Sequence, residues 1–302
     1  MSVSVIIPTR NRKVLLRKLV NNLLENFKQV DQIIIIDSSD DSEQKANFLT
    51  NIKVLYIHSE IRSAAIQRNI GLSLLRANCN YVAFLDDDVI PPTNYFIDLI
   101  ALLKDKKAAG VSGIAVNLNS HKSGRILKFF EAYRRFFYLD SSIEGVVLNS
   151  GVNIPVKRIS KANIILECKW LIGCAVWDYQ KIRGCQFDNR FYGQSLGEDV
   201  LFSLKASKHG KLFVKRNLIL KHLESSIGRP NYLIHNRMWV RNRFYISQEI
   251  LGEKFKTSYH WCNFGKFLSF LLLAPKRPFK SIFGSFGMLL GILDVIKEKH
   301  AR

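Results

Sequence analysis

The sequence predicts an α/β fold: a mostly parallel sheet flanked by helices, followed by a helical C-terminal extension. Three observations predict it. Short β-branched runs alternate with helical apolar spacing through the first half of the chain. Polar, charged segments follow three of those runs directly, where an open α/β sheet gathers its chemistry. From Ser226 onward the composition turns basic and aromatic.

The elements justify themselves in order. Val3 to Ile7 is a short β-branched run suited to a buried parallel strand. Leu15, Leu16, Leu19, Val20, Leu23, Leu24 and Phe27 then recur at helical spacing. Ile33 to Ile36, Val54 to Ile57 and Tyr81 to Leu85 read as the next three strands. Ala64, Ala65, Arg68, Gly71, Leu72 and Leu75 place a helix before the last of these. Ile97, Leu99, Ile100, Leu102 and Leu103 place another before a strand at Gly110 to Val116. Helical crossovers between successive strands imply parallel pairing. Further on, Arg125 to Leu139 reads as an amphipathic helix and Gly145 to Leu148 as a short strand. Trp170 to Cys174 reads as a strand end or tight loop. Glu198 and Asp199 precede Val200, Leu201 and Leu204, so the acidic pair sits at a helix start. The expected division is a catalytic domain over 1–225 and a helical tail over 226–302.

Bulk properties narrow the function. Forty-seven per cent hydrophobic residues exclude wholesale disorder. A net charge of +20 asks for an anionic partner: nucleic acid, an anionic membrane surface or a phosphorylated substrate. The five cysteines form no Cys-x-x-Cys pair and read as reduced structural thiols. The chain opens on a strand, with no apolar signal core, so the catalytic part is expected in the cytoplasm. No run of about 20 continuous apolar residues suggests a spanning helix. Shorter apolar runs lie at Phe267 to Ala274 and Ile282 to Ile296, the second broken by Asp294 and glycines. From Ser226 the tail carries thirteen Lys/Arg against four Asp/Glu, interleaved with aromatics. That pattern suits either an interfacial helix on an anionic leaflet or a cap with a solvated basic face.

Four groups of residues can carry chemistry. Asp86, Asp87 and Asp88 follow an apolar strand directly. Adjacent carboxylates repel, so their clustering calls for a cation or donors. Their oxygens suit Mg²⁺ or Mn²⁺ with substrate phosphates, although a helix-capping turn would use the same residues. Glu198 and Asp199 are either a helix cap or a general base for an attacking hydroxyl. Pro8, Thr9, Arg10, Asn11 and Arg12 offer polar and cationic groups to a nucleotide. There is no Gly-x-Gly-x-x-Gly and no Walker sequence, which disfavours a dinucleotide fold and a P-loop enzyme. Arg68 can pair with a phosphate or an aspartate, or simply be a solvated helix arginine. His222, after Leu218 to Leu220, is a structural histidine or the completion of a metal site.

The order of these pieces resembles family 2 of the nucleotide-sugar glycosyltransferases, which have the GT-A fold. The resemblance rests on Val3 through Arg12, Ile36 through Asp40, Arg68 through Leu72, Phe84 through Asp88 and Gly197 through Val200. It implies a metal-dependent, inverting hexosyl- or deoxyhexosyltransferase of cell-surface polysaccharide biosynthesis, acting on a glycan or lipid-linked acceptor. Pro8, Thr9, Arg10, Asn11, Arg12, Asp37, Arg68, Asp86 and Asp87 would bind the donor nucleotide. Asp86 and Asp88 would be the family's Asp-x-Asp pair, with Asp88 preferred as the direct Mn²⁺ or Mg²⁺ ligand and His222 closing the site. Asp199 would be the catalytic base, with Glu198 positioning the acceptor. Trp170 and Gly173 would lie on the acceptor side. Ser38 stands where members often carry a second aspartate, so the donor's base and sugar stay open. The tail would hold the enzyme peripherally on the inner face of the membrane. The competing readings are a basic nucleic-acid-binding protein, which the acidic clusters disfavour, and a metal-dependent nucleotidyltransferase or phosphohydrolase.

Overall fold

The computed structural model describes residues 2–40, 51–117, 127–157, 164–223 and 231–300. Two compact units result. The first comprises Met1–Ser120 and Val156–Arg229, the second His121–Pro155 and Pro230–Arg302. The expected boundary at 225/226 lies outside the described residues, as does Arg125.

Strands β1 (Val3–Thr9), β2 (Val30–Asp37), β3 (Val54–His58), β4 (Tyr81–Phe84), β5 (Val89–Ile90), β6 (Gly110–Asn117), β7 (Ile165–Cys168), β8 (Ala175–Asp178) and β9 (Leu212–His222) belong to the first unit. They form one sheet in the order β3-β2-β1-β4-β8-β6-β9-β5, with β7 also pairing β9. The half β3-β2-β1-β4 is parallel. Beyond it β8 enters antiparallel to both β4 and β6, so that half of the sheet is mixed.

Three helices cross over in the first half: α1 (Lys13–Asn26), α2 (Ala64–Ser73) and α3 (Tyr95–Lys106). α1 buries Leu16, Leu19, Val20 and Leu23 along one face. All seven β1 residues are buried, as expected of a parallel strand covered on both sides. α2 sits very close to β1. A Cβ on Gly71 would lie 2.4 Å from Ile6 Cγ2, so only glycine permits this approach. The close seat brings Gln67 Nε2 to the carbonyls of Thr9 and Ile36, at 3.0 and 2.6 Å. α2 thereby clasps the carboxyl ends of β1 and β2.

α4 (Leu127–Phe136) falls in the second unit, whereas α5 (Tyr179–Ile182) and α6 (Glu198–Ala206) complete the first. The second unit adds α7 (Tyr232–Leu251), α8 (Lys256–Leu273) and α9 (Pro278–His300). It also draws in the middle segment that the sequence reading assigned to the catalytic domain. Phe137 and Leu139 pack with Cys262, and Trp261 Nε1 donates to the Phe136 carbonyl at 2.9 Å. Aromatic burial against the tail explains that assignment.

Two expectations need correction. Gly145 to Leu148 is not a strand; it holds a single bridge, Val147 to Asn153, beside Gly145 and Gly151 with positive φ. The apolar runs of the tail are also longer than they read. Asp294 and the glycines do not interrupt α9, and Pro278–Glu298 is long and apolar enough to cross a membrane by length and composition, with 33% of that window buried. The five thiols are free, four of them buried.

Candidate active site

The carboxyl ends of β1, β2 and β4 lie side by side in the parallel half of the sheet. Their trailing segments meet. Thr9 Oγ1 donates to Asp87 Oδ2 at 2.7 Å. Arg12 Nη1 reaches Asp87 Oδ1 at 2.8 Å and Asp88 Oδ2 at 3.0 Å. The Asn11 amide donates to Ser39 Oγ at 2.7 Å, with Asn11 itself at φ 56°. The β1 loop therefore acts as a strap binding the aspartate triplet on one side and the β2 turn on the other.

Asp37 faces inward. Its carboxylate accepts from Ser39 N at 2.8 Å and from the Ser39 and Tyr56 hydroxyls. It shapes the turn more than it opens to solvent. Asp40 is the exposed member: it pairs with Arg10 at 3.2 Å and Arg62 at 2.6 Å and accepts from Asn11 Nδ2 at 2.8 Å.

The triplet splits into three roles. Asp87 is buried, and that burial pushes its carboxyl up to about 6 despite Arg12 and Thr9. Asp88 lies beside His222, with Nε2 3.2 Å from Oδ1. The cause is topological: β5 pairs antiparallel with the end of β9, setting Val89 opposite His222. Burial pushes Asp88 up, but the His222 hydrogen bond and then Arg12 outweigh it and hold the carboxyl below its ordinary value. Asp86 turns the other way. Its Oδ1 takes Arg68 Nη2 at 2.8 Å, and its Oδ2 lies 3.7 Å from Cys174 Sγ. Asp86, Asp88 and His222 therefore do not close on one point, and among the described residues no group of three His, Cys, Asp or Glu is assembled for a metal.

Arg68 is the hinge of the site. It is 2% exposed, yet it bridges Asp86 to Glu198, whose Oε1 lies 2.5 Å from Nη1. Its guanidinium also stands 5.4 Å over the Phe187 ring. A Cβ on Gly173 would lie 3.1 Å from Arg68 Nη2 and 3.4 Å from Asp86 Oδ1, so glycine leaves room for this ion pair. Trp170 is buried in the same loop, and the next amide, Leu171 N, donates to Ser203 Oγ on α6 at 3.0 Å.

The start of α6 is held in register with α2. Ser63, the α2 N-cap, donates from Oγ to the Phe191 carbonyl at 2.6 Å, and Ala65 N donates to Ser195 Oγ at 3.2 Å. Gly197 then turns at φ 87° into α6. Glu198 and Asp199 thus begin the helix, as expected from the sequence. Burial pushes both carboxyls above the ordinary range, Asp199 to about 6, against the pull of Arg68. They share one field, so the ionisation of one holds back the ionisation of the other.

Sequence reasoning missed Gln67, Tyr56, Arg62 and Cys174. Gln67 adjoins the Arg68 motif, and a polar residue on the buried face of a helix was its available signal. Tyr56 looks like an ordinary strand aromatic, and nothing local marks it.

A nucleotide-sugar transferase of the GT-A fold is the class that this sheet and this acidic, arginine-laced edge define. The chain belongs to glycosyl transferase family 2, whose description matches residues 4–158. Among solved structures, it is similar to S. aureus TarS 1-349, with a TM-score of 0.55 and 15% identity, covering 96% of this chain and 81% of that one. The complex of TarS 1-349 with UDP-GlcNAc gives 0.53 and 16%, covering 92% and 75%. GalNAc-T7 with UDP, GalNAc and Mn²⁺ gives 0.59 and 15%, covering all of this chain and 58% of that one. At such identities the likeness is one of fold. No curated protein sequence matched the chain significantly.

Proposed function

We propose that the chain transfers a hexosyl or deoxyhexosyl group, with inversion, from a nucleoside diphosphate sugar to a hydroxyl of a glycan or lipid-linked acceptor. The observation that carries this reading is the Arg68 bridge. It joins the aspartate triplet, where a diphosphate donor would bind, to the helix start that bears Asp199. Donor and base elements are then parts of one rigid network.

Asp199 takes the proton of the acceptor hydroxyl. The freed oxygen attacks the anomeric carbon on the face opposite the diphosphate. The bond from that carbon to the diphosphate oxygen breaks, and its electron pair leaves with the phosphate. Glu198, oriented by Arg68, positions the acceptor, with Gly173 and Trp170 forming the loop beside it. Pro8, Thr9, Arg10, Asn11, Arg12 and Asp37 shape the nucleotide side, and Asp87 braces them through Thr9 and Arg12.

The Asp88 carboxylate suits Mn²⁺ or Mg²⁺, and the His222 imidazole, with Nε2 3.2 Å from Asp88 Oδ1, would favour the softer Mn²⁺. One carboxylate and one imidazole suffice where the donor's own phosphates supply the other ligands. A cation held by Asp88 and His222 would supply positive charge beside the diphosphate leaving group. Asp86, on the far side of the triplet, serves the donor and Arg68.

This reading assigns the enzyme to cell-surface polysaccharide biosynthesis, in the cytoplasm and on the inner face of the membrane. The test is a thermal-shift panel of sugar nucleotides with Mn²⁺ or Mg²⁺. A specific sugar nucleotide should raise the melting temperature only with the metal. Stabilisation by nucleoside triphosphates instead, or by random DNA, would overturn the reading.

A further inference from the structure

Helix α9 is built inside out. In a water-soluble helix the large apolar side chains face the protein and the charges face solvent. In α9 the inner face carries glycines and acids, with Met288 and Val295 as its only buried large apolar side chains among the described residues. A Cβ on Gly287 would lie 2.3 Å from the Leu233 carbonyl oxygen, and one on Gly291 would lie 2.6 Å from that of Arg237. The two backbones of α7 and α9 thus touch. Alongside them Asp294 takes Arg237 through two bonds, at 2.6 and 2.7 Å, and Glu298 takes Arg241 at 2.5 Å.

The outer face is apolar. Phe279, Ile282, Phe283, Phe286, Leu289, Leu293 and Ile296 follow one helical stripe and are each about half exposed or more, from 46% at Ile296 to 76% at Phe279. Leu271, Leu272 and Leu273 at the end of α8 are exposed too. Small residues between helices, paired charges inside and large hydrophobes outside are how helices pack when lipid is the solvent. Lys276, Arg277 and Lys280 stand exposed at the turn between α8 and α9, where anionic headgroups would meet them.

We infer that the α9 stripe, with Leu271 to Leu273, is a docking face for the surface of an anionic phospholipid bilayer. It enters one leaflet and does not cross. α7 lies against α9 and carries Arg237, Arg241 and Arg243 within 20 residues. Arg237 and Arg241 are neutralised by Asp294 and Glu298. Among the described residues, Arg243 has only the Ser150 carbonyl and Asn263 as hydrogen-bond partners. Carrying it through hydrocarbon is costly, so α9 offers the bilayer only its outer side. The inference specifies the membrane association proposed above by naming its face, its depth and its lipid charge; it holds or falls independently of the sugar-transfer chemistry.

The test is co-sedimentation of the full chain with vesicles of mixed phosphatidylglycerol and phosphatidylcholine, and with phosphatidylcholine alone. The protein should sediment with the anionic vesicles. Phe283→Glu with Phe286→Glu should lower the bound partition by about tenfold or more, while Phe283→Leu with Phe286→Leu should retain it. All these positions are half exposed, so the melting temperature should stay unchanged. Lys276→Glu with Lys280→Glu should remove the preference for anionic lipid. Equal binding by the Glu and Leu variants would overturn the inference. So would a lipid-free dimer that Phe283→Glu dissociates and that does not bind vesicles, because the stripe would then be an interface between copies of this chain. Turnover of a short soluble acceptor separates this outcome from failure of the transfer reading.

Discussion

The two units use the same two devices to opposite ends. In the first, Gly71 seats α2 on β1 and Arg68 holds carboxylates. In the second, Gly287 and Gly291 seat α9 on α7, and Arg237 and Arg241 hold carboxylates. The difference lies in the count of charges. Between α7 and α9, Arg237 is matched by Asp294 and Arg241 by Glu298, one to one. Around Arg68 the field of Asp86, Glu198 and Asp199 falls on a single arginine, and burial drives two of those acids toward the protonated state. Matched charges hold a structure together. An excess of carboxylates beside an open edge is unfavourable alone and becomes favourable when a proton, cation or cationic transition state arrives.

The sharpest way to break that comparison is to remove one acid from the excess. Asp199→Asn should lower turnover by about a thousandfold while donor affinity, measured by calorimetry, stays as it was. Unimpaired transfer would make Asp199 a helix cap and nothing more. The wild-type pH profile tests the same point. The fold raises the Asp199 carboxyl to about 6, so turnover should climb as the pH passes through that value and the base loses its proton. Stability should move the other way. The folded chain holds this proton more tightly than the unfolded chain, whose carboxylates titrate near ~4. Urea midpoints without donor should therefore fall as pH rises from about 4 to about 6.

The metal-side prediction is next in size. Asp88→Ala should weaken Mn²⁺-dependent donor binding by about tenfold or more, read by calorimetry with and without the ion. Binding that is equal with and without Mn²⁺ in both proteins would remove Asp88 from the ligand set.

Arg68→Met asks whether the bridge is structural or functional. Removing one partner of a buried pair costs about 3–5 kcal/mol when the other charge is stranded. Here Glu198 can take up a proton and Asp86 is partly exposed, so the cost should sit near ~2 kcal/mol. Transfer should suffer more than stability, because the helix start loses its tie to the triplet. A variant that melts early but turns over normally would reduce Arg68 to scaffolding.

Much of this was legible in the sequence, for identifiable reasons. The parallel strands announce themselves because burial on both faces demands runs rich in β-branched apolar residues, as in Val3 to Ile7, where Ser4 is the one polar member, and Ile33 to Ile36. The helix start at Glu198 was legible from acids preceding an apolar face. What stayed hidden depends on contacts between distant residues. β7 and β8 are four-residue strands, too short to show a period. The separation of Asp86 from Asp88 depends on Arg68 and His222, which lie 18 residues before the one and 134 after the other. Local pattern places three carboxylates together, but only the β5–β9 pairing and the α2 seat decide which way each one turns. The inside-out character of α9 was hidden too, because a helical stripe of Phe and Leu reads the same whether it faces a core or a bilayer.

That ambiguity yields the smallest predicted effects and the finest test of the comparison. If the glycine face of α9 is the packed one, Gly287→Ala forces its new methyl into the Leu233 carbonyl and should cost about 1–3 kcal/mol. Leu289→Ser, a chemically larger change on the outer stripe, should stay within about 0.5 kcal/mol in urea denaturation without lipid. The usual expectation for an amphipathic helix is the reverse, with leucine costly and glycine cheap. A large loss for Leu289→Ser together with a silent Gly287→Ala would mean that α9 buries its hydrophobes after all, and the contrast between the two units would collapse into one ordinary core in each.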